Sequence, residues 1–251
     1  MFLQSYVVAV CTFERVGGIA EIRSLHGTAF FIGKSGLFLT ARHVLEQAAE
    51  CGRKNSWEVG LCVKGDNGRS KGEEVAVFTS FEYAPAPYDV ALGTACYKPD
   101  SPLSLGLTEV SIWQEIAAIG YPTSASAKVG DALWMNLRGQ RGYVQRTTLP
   151  RDMPIGDHPA GIELSFLIGP GMSGSPIFNT QNETVIGVGV GAYRSEQIED
   201  SIEEIDSNGG KYKELRLRIE QHGFAHALNG LLDWYPSMLD GKSLLEASKA
   251  E

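Results

Sequence analysis

Short apolar stretches with a period of two residues recur along almost the whole chain, and they restrict its fold more than any other feature. They are enriched in Val, Ile, Phe and Tyr, and Gly, Pro, Asn or Asp separate them. Strands are predicted at residues 5–11, 27–33, 36–40, 57–63, 74–79, 89–95, 111–119, 132–137, 142–147, 161–168, 175–179, 184–192 and 223–227. Regular short strands of this kind predict an all-β sandwich or barrel.

Few helices accompany these strands. One is predicted at residues 41–49 and another at residues 227–234, where Pro236 would end it. A last helical stretch is predicted at residues 243–250. Residues 97–108 contain two prolines and no strand pattern, so the join between two lobes is predicted there.

The net charge excludes some classes of partner. The 251 residues carry a formal charge of −8, and the pI is about 5.2. Because an acidic chain repels phosphate backbones and anionic lipid, neither nucleic acid nor a membrane is expected as a partner. No apolar run approaches the roughly 20 residues that a membrane helix needs.

The first residues and the cysteines indicate a compartment. No Lys or Arg precedes Arg15, so residues 6–11 are interpreted as a strand rather than as the apolar part of a signal peptide. An even number of cysteines would permit disulfides, but their spacing favours reduced, mostly buried thiols. A reducing cytoplasm is therefore predicted. The cysteines are Cys11, Cys51, Cys62 and Cys96.

One acidic segment differs from its surroundings. Residues 196–206 hold six acidic side chains and no basic one, and Asn208-Gly209-Gly210 follows. This composition favours a solvated surface loop over residues 196–210. Such a loop could gate a cleft, bind a partner or attract basic substrates, or it could be an inert insertion. Residues 212–219 then alternate apolar and charged side chains, which is compatible with an edge strand.

Three local patterns contain chemically active side chains. His43 follows a predicted strand, Asp89 opens another, and Ser173 lies in a glycine-rich turn before a third. Each pattern alone has an ordinary structural explanation, such as a turn residue. Together they supply a nucleophile, a base and a carboxylate that can fix the tautomer of the base. The turn can also present backbone N–H groups to a developing oxyanion.

The same three patterns resemble the motifs of the chymotrypsin-like, or trypsin-like, serine peptidases, particularly the bacterial HtrA-type and intracellular branches. The resemblance covers roughly residues 6 to 234. The matching segments are Thr40-Ala41-Arg42-His43, Asp89-Val90-Ala91-Leu92 and Gly171-Met172-Ser173-Gly174-Ser175-Pro176, with minor matches at Gly27-Thr28-Ala29, Ile119-Gly120-Tyr121-Pro122, Ile186-Gly187-Val188 and Gly223-Phe224-Ala225.

This resemblance implies an all-β fold of two six-stranded antiparallel β-barrels with a C-terminal helix. Residues 1–105 would form the first barrel, and residues 106–251 would form the second together with the acidic loop. His43 would be the general base, Asp89 the residue that orients it and Ser173 the nucleophile. Gly171 and Ser173 would supply the oxyanion-hole N–H groups.

Two departures from the family bear on activation and on the compartment. Met172 stands where secreted members carry an Asp that pairs with a freed N-terminus, so that route of activation is not expected here. Val44 stands where those members carry a bridged Cys, which fits a reducing compartment.

The resemblance also implies a substrate pocket. Leu167 would lie at its base, and Ile168 would be a further substrate-binding residue. Gly189, Val190 and Gly191 would form a wall strand to which a substrate backbone could add. Because the base position is Leu167 rather than Asp, cleavage after Lys or Arg is not expected.

The predicted function is that of a serine endopeptidase that forms an acyl-enzyme and prefers an uncharged apolar P1 residue. Two alternatives stay open: a silent or partner-activated binding module on the same fold, and an esterase. A polypeptide substrate is expected. A regulatory protein partner is expected if the chain is a partner-activated module. No cofactor is predicted, and the histidines show no zinc-like spacing.

Overall fold

The computed structural model describes residues 6–33, 35–63, 75–99, 103–106, 108–129, 132–153, 156–205, 209–231 and 233–249. Its strands are β1 Val7–Val16, β2 Ile19–Phe31, β3 Leu37–Thr40, β4 Glu58–Cys62, β5 Val75–Tyr83, β6 Ala91–Ala95, β7 Glu115–Gly120, β8 Ser126–Val129, β9 Ala132–Met135, β10 Arg138–Thr148, β11 Gly161–Leu164, β12 Pro176–Asn179, β13 Thr184–Ile205 and β14 Lys211–Ala227. The α-helices are α1 Arg42–Asn55 and α2 Leu244–Lys249.

Two closed barrels contain most of these strands. The first has the spatial order β1-β2-β3-β6-β5-β4, and the second has the order β10-β11-β14-β13-β12-β7. All pairings within them are antiparallel. Closure removes the unpaired edges of a sheet. The predicted fold of two six-stranded antiparallel barrels with a C-terminal helix is confirmed, whereas the boundary at residue 105 stays a prediction.

Apolar side chains fill and surround each barrel. In the first barrel Phe30, Phe31 and Phe38 are fully buried, and the rings of Phe31 and Phe38 meet edge to face. In the second barrel the core includes Ile162 and Ala225. Burial of such side chains stabilises each barrel by roughly 1.5–3 kcal/mol per large residue.

The two barrels are joined by direct contacts as well as by the chain. The hydroxyl of Tyr121, which follows β7, donates to the carbonyl oxygen of Val7 in β1 at 3.1 Å. The backbone N–H of Tyr121 donates to the hydroxyl of Thr28 in β2 at 3.0 Å. These bonds fix the barrels against each other at the place where the predicted site residues meet.

The acidic segment is where the sequence-based prediction fails. Residues 196–205, predicted as a solvated loop, lie in β13 and pair with β14 from Lys211 to Ile219. The acidic strand therefore faces a strand with Lys and Arg side chains, for example Lys213 beside Glu203 at 3.3 Å. Pairing satisfies the backbone, and the opposite charges offset the repulsion that made a loop seem necessary. Residues 206–208 lie outside the described residues.

The helices also differ in part from prediction. Helix α1 extends to Asn55, beyond the predicted end at residue 49. The predicted helix at residues 227–234 is replaced by the end of β14 and a 3₁₀-helix at Leu228–Leu231. Helix α2 lies within the predicted stretch at residues 243–250. No helix among the described residues has the length and apolar character that crossing a membrane requires.

Candidate active site

His43 lies in the first turn of α1, directly after β3. A helix begins with backbone N–H groups that lack partners within the helix, and the residue before α1, Ala41, has no side chain that could cap them. The N–H of His43 instead donates to Oδ1 of Asp89 at 2.8 Å. A carboxylate from another part of the chain thus caps the helix and fixes the backbone of His43.

The other carboxylate oxygen of Asp89 faces the His43 ring. Oδ2 lies 2.5 Å from Nδ1 of His43, and about a third of each side chain is exposed. Burial alone would raise the pKa of Asp89, but the hydrogen bonds from the ring and backbone of His43 outweigh it and lower the pKa. Asp89 is therefore ionised at neutral pH, and His43 carries its proton on Nδ1 and presents Nε2 outward.

His226 supports Asp89 from the second barrel. The backbone N–H of Asp89 donates to Nδ1 of His226 at 3.0 Å, so this imidazole nitrogen must be unprotonated. The His226 side chain is buried, and burial lowers its pKa to about 4. A neutral histidine of β14 thus holds the backbone of a residue in the first barrel.

Ser173 lies in a tight turn before β12. Gly171 and Gly174 flank it with φ of 86° each, a region that favours glycine. A Cβ at Gly174 would lie 1.9 Å from the carbonyl oxygen of Thr28, so the turn also needs glycine for space. Among the described residues, the N–H groups of Gly171 and Ser173 donate to no protein acceptor. Both are available to bind an anionic oxygen.

Thr28 clamps this turn to the first barrel. Its N–H donates to the carbonyl oxygen of Ser173 at 2.8 Å, and its hydroxyl donates to that of Gly171 at 2.8 Å. The same hydroxyl accepts the N–H of Tyr121. On the other side, the N–H of Gly174 donates to the carbonyl oxygen of Gly189 at 2.7 Å. The turn is therefore held by both barrels.

The hydroxyl of Ser173 points to β13 in this structure. It donates to the carbonyl oxygen of Val190 at 3.2 Å, and it has no hydrogen bond with the described His43 side chain. Val190 is the extra residue of a β-bulge between Gly189 and Gly191. Bulges bend a strand and redirect its groups, which explains why this carbonyl reaches the turn.

A cavity of about 220 Å³ lies between the barrels beside Asp89. Two of the predicted substrate-binding residues, Val190 and Gly191, line it together with His226. The other lining residues are Pro87, Asp157, His158, Ala192, Tyr193 and Phe224. The predicted wall strand thus borders an open space next to the predicted triad.

The remaining predicted substrate-binding residues lie elsewhere. Leu167 is exposed and does not line this cavity, whereas Ile168 is buried in the core of the second barrel. A Cβ at Gly189 would lie 3.2 Å from the Ile168 side chain, and both backbone groups of Gly189 bond to the Ser173 turn. Gly189 therefore holds the Ser173 turn through hydrogen bonds, and Ile168 packs against Gly189.

Sequence reasoning singled out neither Thr28 nor His226 as a site residue. Thr28 follows Gly27, where a Cβ would lie 2.8 Å from the carbonyl oxygen of Ser173, and that Gly-Thr pair was the available signal. A histidine within the buried, mainly apolar end of β14 was the signal for His226. Within the described ranges, no three His, Cys, Asp or Glu side chains are close enough together to hold a metal ion.

Comparisons with known proteins bear on the family and the fold. Residues 27–188 match the sequence model of the family described as a trypsin-like peptidase domain. A protein of Halomonas elongata named as a probable periplasmic serine endoprotease, DegP-like, is 31% identical over 173 residues. That alignment covers 68% of this chain and 30% of the relative, so the chain spans less than a third of the relative's length.

Solved structures share the fold at low identity. The protease domain of MamO from Magnetospirillum magneticum has a TM-score of 0.57 at 13% identity, covering 91% of this chain and 94% of that one. The active form of the M. tuberculosis protease Rv3671c has a TM-score of 0.55 at 18% identity, covering 92% and 80%. The HtrA-type protease AlgW, solved with a decapeptide, has a TM-score of 0.56 at 14% identity, covering 89% and 61%.

Proposed function

This chain belongs to the trypsin-like peptidase domain family, and we propose that it is a serine endopeptidase. Ser173 is the nucleophile, His43 the general base and Asp89 the carboxylate that orients the base. The observation that carries the proposal is the double contact of Asp89 with His43, at 2.8 Å to its N–H and 2.5 Å to Nδ1, beside a turn that both barrels hold.

The reaction begins with a rotation of the Ser173 hydroxyl from Val190 to Nε2 of His43. His43 then takes the hydroxyl proton as Oγ bonds to the scissile carbonyl carbon, and Asp89 stabilises the resulting imidazolium. His43 returns that proton to the leaving amine, whose bond to the carbonyl carbon breaks and leaves an acyl-enzyme on Ser173. A water molecule activated by His43 then releases the acid.

The N–H groups of Gly171 and Ser173 form the oxyanion hole in this proposal. Supporting it, neither group has another acceptor among the residues that the structure describes. Donors of this kind, aimed at the developing negative charge, typically contribute a factor of about 10²–10³ to kcat. The clamp by Thr28 holds them in place before substrate arrives.

The substrate backbone adds to the strand at Val190 and Gly191, beside the cavity. We propose an uncharged apolar P1 residue, because the resemblance to the family gives the pocket-base position to Leu167 rather than to an acidic residue. The physiological substrate is a polypeptide in this proposal.

Digestion of a peptide library tests the function directly. Wild-type protein and the Ser173→Ala variant are incubated with the library, and new termini are identified by mass spectrometry. We expect cleavages after apolar residues that require Ser173. Cleavage chiefly after Arg or Glu would overturn the P1 proposal, and cleavage that persists in the variant would overturn the nucleophile.

Regulation by a partner is a second candidate, and one observation favours it. The Ser173 hydroxyl bonds to Val190 rather than to His43, so this form needs a rotation before it can react. Buried Met172 offers no carboxylate for a freed N-terminus, so the trigger is a bound substrate or protein. A sigmoidal rise of the hydrolysis rate with substrate concentration would support activation by a bound substrate molecule, and hyperbolic kinetics would oppose activation by a second substrate molecule.

The cytoplasmic assignment stays a prediction. All four cysteines lie among the described residues and none forms a disulfide, as expected in a reducing compartment. The DegP-like relative is named as periplasmic, which gives that prediction no support. Fractionation of the source cells, with detection by an antibody, decides the compartment.

A further inference from the structure

The outer part of the β13–β14 hairpin leaves the second barrel as a two-stranded ribbon. We define the ribbon as residues 193–205 and 209–222. β12 pairs with β13 only as far as Val188, and β11 pairs with β14 only as far as Gly223. Within the described part of the chain, no third strand lies beside the ribbon. Because isolated two-stranded hairpins are marginal in water, a ribbon of this length needs a further surface to pack against.

One face of the ribbon is apolar. β14 alternates without a register shift, so Leu215, Leu217 and Ile219 lie on the same side as Ala225, which packs in the core of the second barrel. Ile198 pairs with Leu217 on that side. These four ribbon residues are between 39% and 64% exposed. The core-facing side of the hairpin thus extends beyond the second barrel, where these apolar side chains are left exposed.

The opposite face is mainly charged. It carries Arg216 and Arg218 of β14, with Asp200 opposite Arg216. Ile202, opposite Glu214, is an exposed aliphatic side chain on this face and has a charged neighbour across the strand. The ribbon is therefore amphipathic, and its apolar face is the side that gains from being covered.

Polar contacts fix the root of the ribbon to the barrel. Buried Glu163 of β11 accepts hydrogen bonds from the hydroxyl of Tyr193 and from Nε of Arg146, the latter at 3.2 Å. Nδ1 of His222 lies 3.6 Å from the same carboxylate. Tyr193 and His222 are a cross-strand pair, so both ribbon strands are held where they leave the barrel. The ribbon then projects in a defined direction.

Most charges on the apolar face separate by strand. Glu196 and Glu203 lie on β13, whereas Lys211 and Lys213 lie on β14. Arg194, also on β13 near the root of the ribbon, forms an ion pair with Glu196 of its own strand. A two-fold axis along the ribbon would place β13 of one copy over β14 of another at the same height. Glu203 of each copy would then face Lys213 of the other copy, on both sides of an apolar centre. The face is complementary to itself in this one arrangement, as an isologous interface requires.

Other two-fold arrangements place like charges together. Edge-to-edge pairing through β13 would align its acidic side chains, such as Glu199 and Glu203, and pairing through β14 would align Arg216 and Arg218. Face-to-face packing about an axis across the ribbon would stack β13 on β13. Like charges directly opposite each other destabilise such pairs.

We propose that the apolar face of the ribbon is an interface between two copies of this chain, packed face to face about a two-fold axis along the ribbon. The twelve paired residues of β13 in the ribbon span about 40 Å. Two strands with their side chains are about 10 Å wide, so each copy buries on the order of 400 Å². This area is at the small end of specific interfaces, so the expected dissociation constant is on the order of micromolar.

Two variants that differ only in the face they change test the interface. Leu217→Lys places a charge on the apolar face, and Ile202→Lys places the same charge on the opposite face of the same ribbon. Dissociation constants are measured by sedimentation equilibrium, and circular dichroism checks that each variant is folded. We expect Leu217→Lys to raise the dimer dissociation constant at least about tenfold, and Ile202→Lys to change it no more than about twofold.

Several results would overturn the proposal. A wild-type protein that is monomeric at 100-fold above the expected micromolar range, or one that forms a trimer, would exclude this two-fold interface. Equal effects of Leu217→Lys and Ile202→Lys would show that the apolar face is not the contact. These outcomes do not depend on catalysis, so they leave the proposed function untouched.

A charge exchange tests the direction of the axis. The double variant Glu203→Lys with Lys213→Glu keeps the pair within one ribbon and keeps complementarity between two identical copies. Mixed with wild type, it would place acid over acid and base over base. Native mass spectrometry of an equimolar mixture should therefore show both homodimers and fewer heterodimers than random exchange gives. A random or larger share of heterodimers would contradict the proposed axis.

Discussion

The β13–β14 hairpin is one continuous pair of strands whose two halves lie in opposite surroundings. In the inner half, Gly189 bonds through both of its backbone groups to the Ser173 turn, and Ala225 lies in the core. In the outer half, residues of the same strands are exposed, and no other described strand lies on their free edges. One secondary structure thus supports a fixed site at one end and a free surface at the other.

This contrast shows that strand pairing alone decides neither rigidity nor function. The inner half is fixed by neighbours on every side, so a small change there disturbs several bonds at once. The outer half has mainly its own partner strand, so single changes there should cost little within one copy. Substitutions in and around the two halves can confirm or break this comparison.

The largest effect is expected from Gly174→Ala. The new Cβ would lie 1.9 Å from the carbonyl oxygen of Thr28, at a residue whose φ is 86°. We expect a loss of more than about 3 kcal/mol in the free energy of unfolding, measured by urea denaturation. Gly191→Ala is the matched control, because a Cβ there has nothing within 4 Å. Equal stability of the two variants would contradict the description of the turn.

The next effect is a pH dependence that originates at His226. Its pKa is about 4 in the folded protein, whereas an unfolded histidine has a pKa near 6.5. Between pH 4 and pH 6.5 the imidazole binds a proton in the unfolded chain but stays neutral in the folded chain. The contribution of His226 to the free energy of unfolding is therefore fully present above pH 6.5 and falls as the pH drops. The loss by pH 4 is about 3 kcal/mol.

His226→Asn removes this titration but keeps an oxygen that can accept the N–H of Asp89. Urea denaturation at pH 7, 5.5 and 4 should show a smaller loss of stability in the variant than in the wild type. Parallel curves for the two proteins would show that His226 does not titrate as its burial implies.

Thr28→Val should lower the free energy of unfolding by a smaller amount. Valine has the same shape but removes the hydroxyl that donates to Gly171 and accepts from Tyr121. Leaving these groups without partners costs about 1–3 kcal/mol, and Ser173-dependent hydrolysis should slow as the turn loosens. Thr79→Val, at an exposed hydroxyl in β5, is the control and should stay close to wild type in both measurements.

The smallest effect is expected in the ribbon. Arg218 is exposed and pairs with Glu220 at 2.8 Å. Because exposed ion pairs contribute little, Arg218→Ala should change the stability of the monomer by no more than about 0.5 kcal/mol, measured by urea denaturation under dilute conditions. A loss as large as that of Thr28→Val would mean that the outer half is as constrained as the inner half.

The catalytic motifs of the candidate active site could be predicted from local sequence. The His43, Asp89 and Ser173 motifs each lie at the end or start of a period-2 strand, and such strands formed close to their predicted places. The contacts of Thr28 and His226 could not be predicted, because each joins residues more than 90 positions apart. Only the closed barrels bring these residues together.

The outer half was misjudged for two physical reasons. The bulge at Glu199 interrupts the period of two, so Ile198 and Ile202, which are four residues apart, lie on opposite faces of the ribbon. The acidic side chains alone suggested a solvated loop, because the basic residues that pair with them, Lys213 and Arg216, lie in a later segment of the chain. Charge complementarity between two strands is a property of the pair.

Active-site labelling with a fluorophosphonate tests the central claim most directly. It is applied to wild type, Ser173→Ala and Ser175→Ala, and the modified residue is mapped by mass spectrometry. Ser175 is the matched control, because its hydroxyl is buried two residues away and has no partner among the described residues. The account predicts modification at Ser173 in wild type and in Ser175→Ala, and none in Ser173→Ala. Labelling that persists in Ser173→Ala, or folded wild-type protein that never reacts, would contradict it.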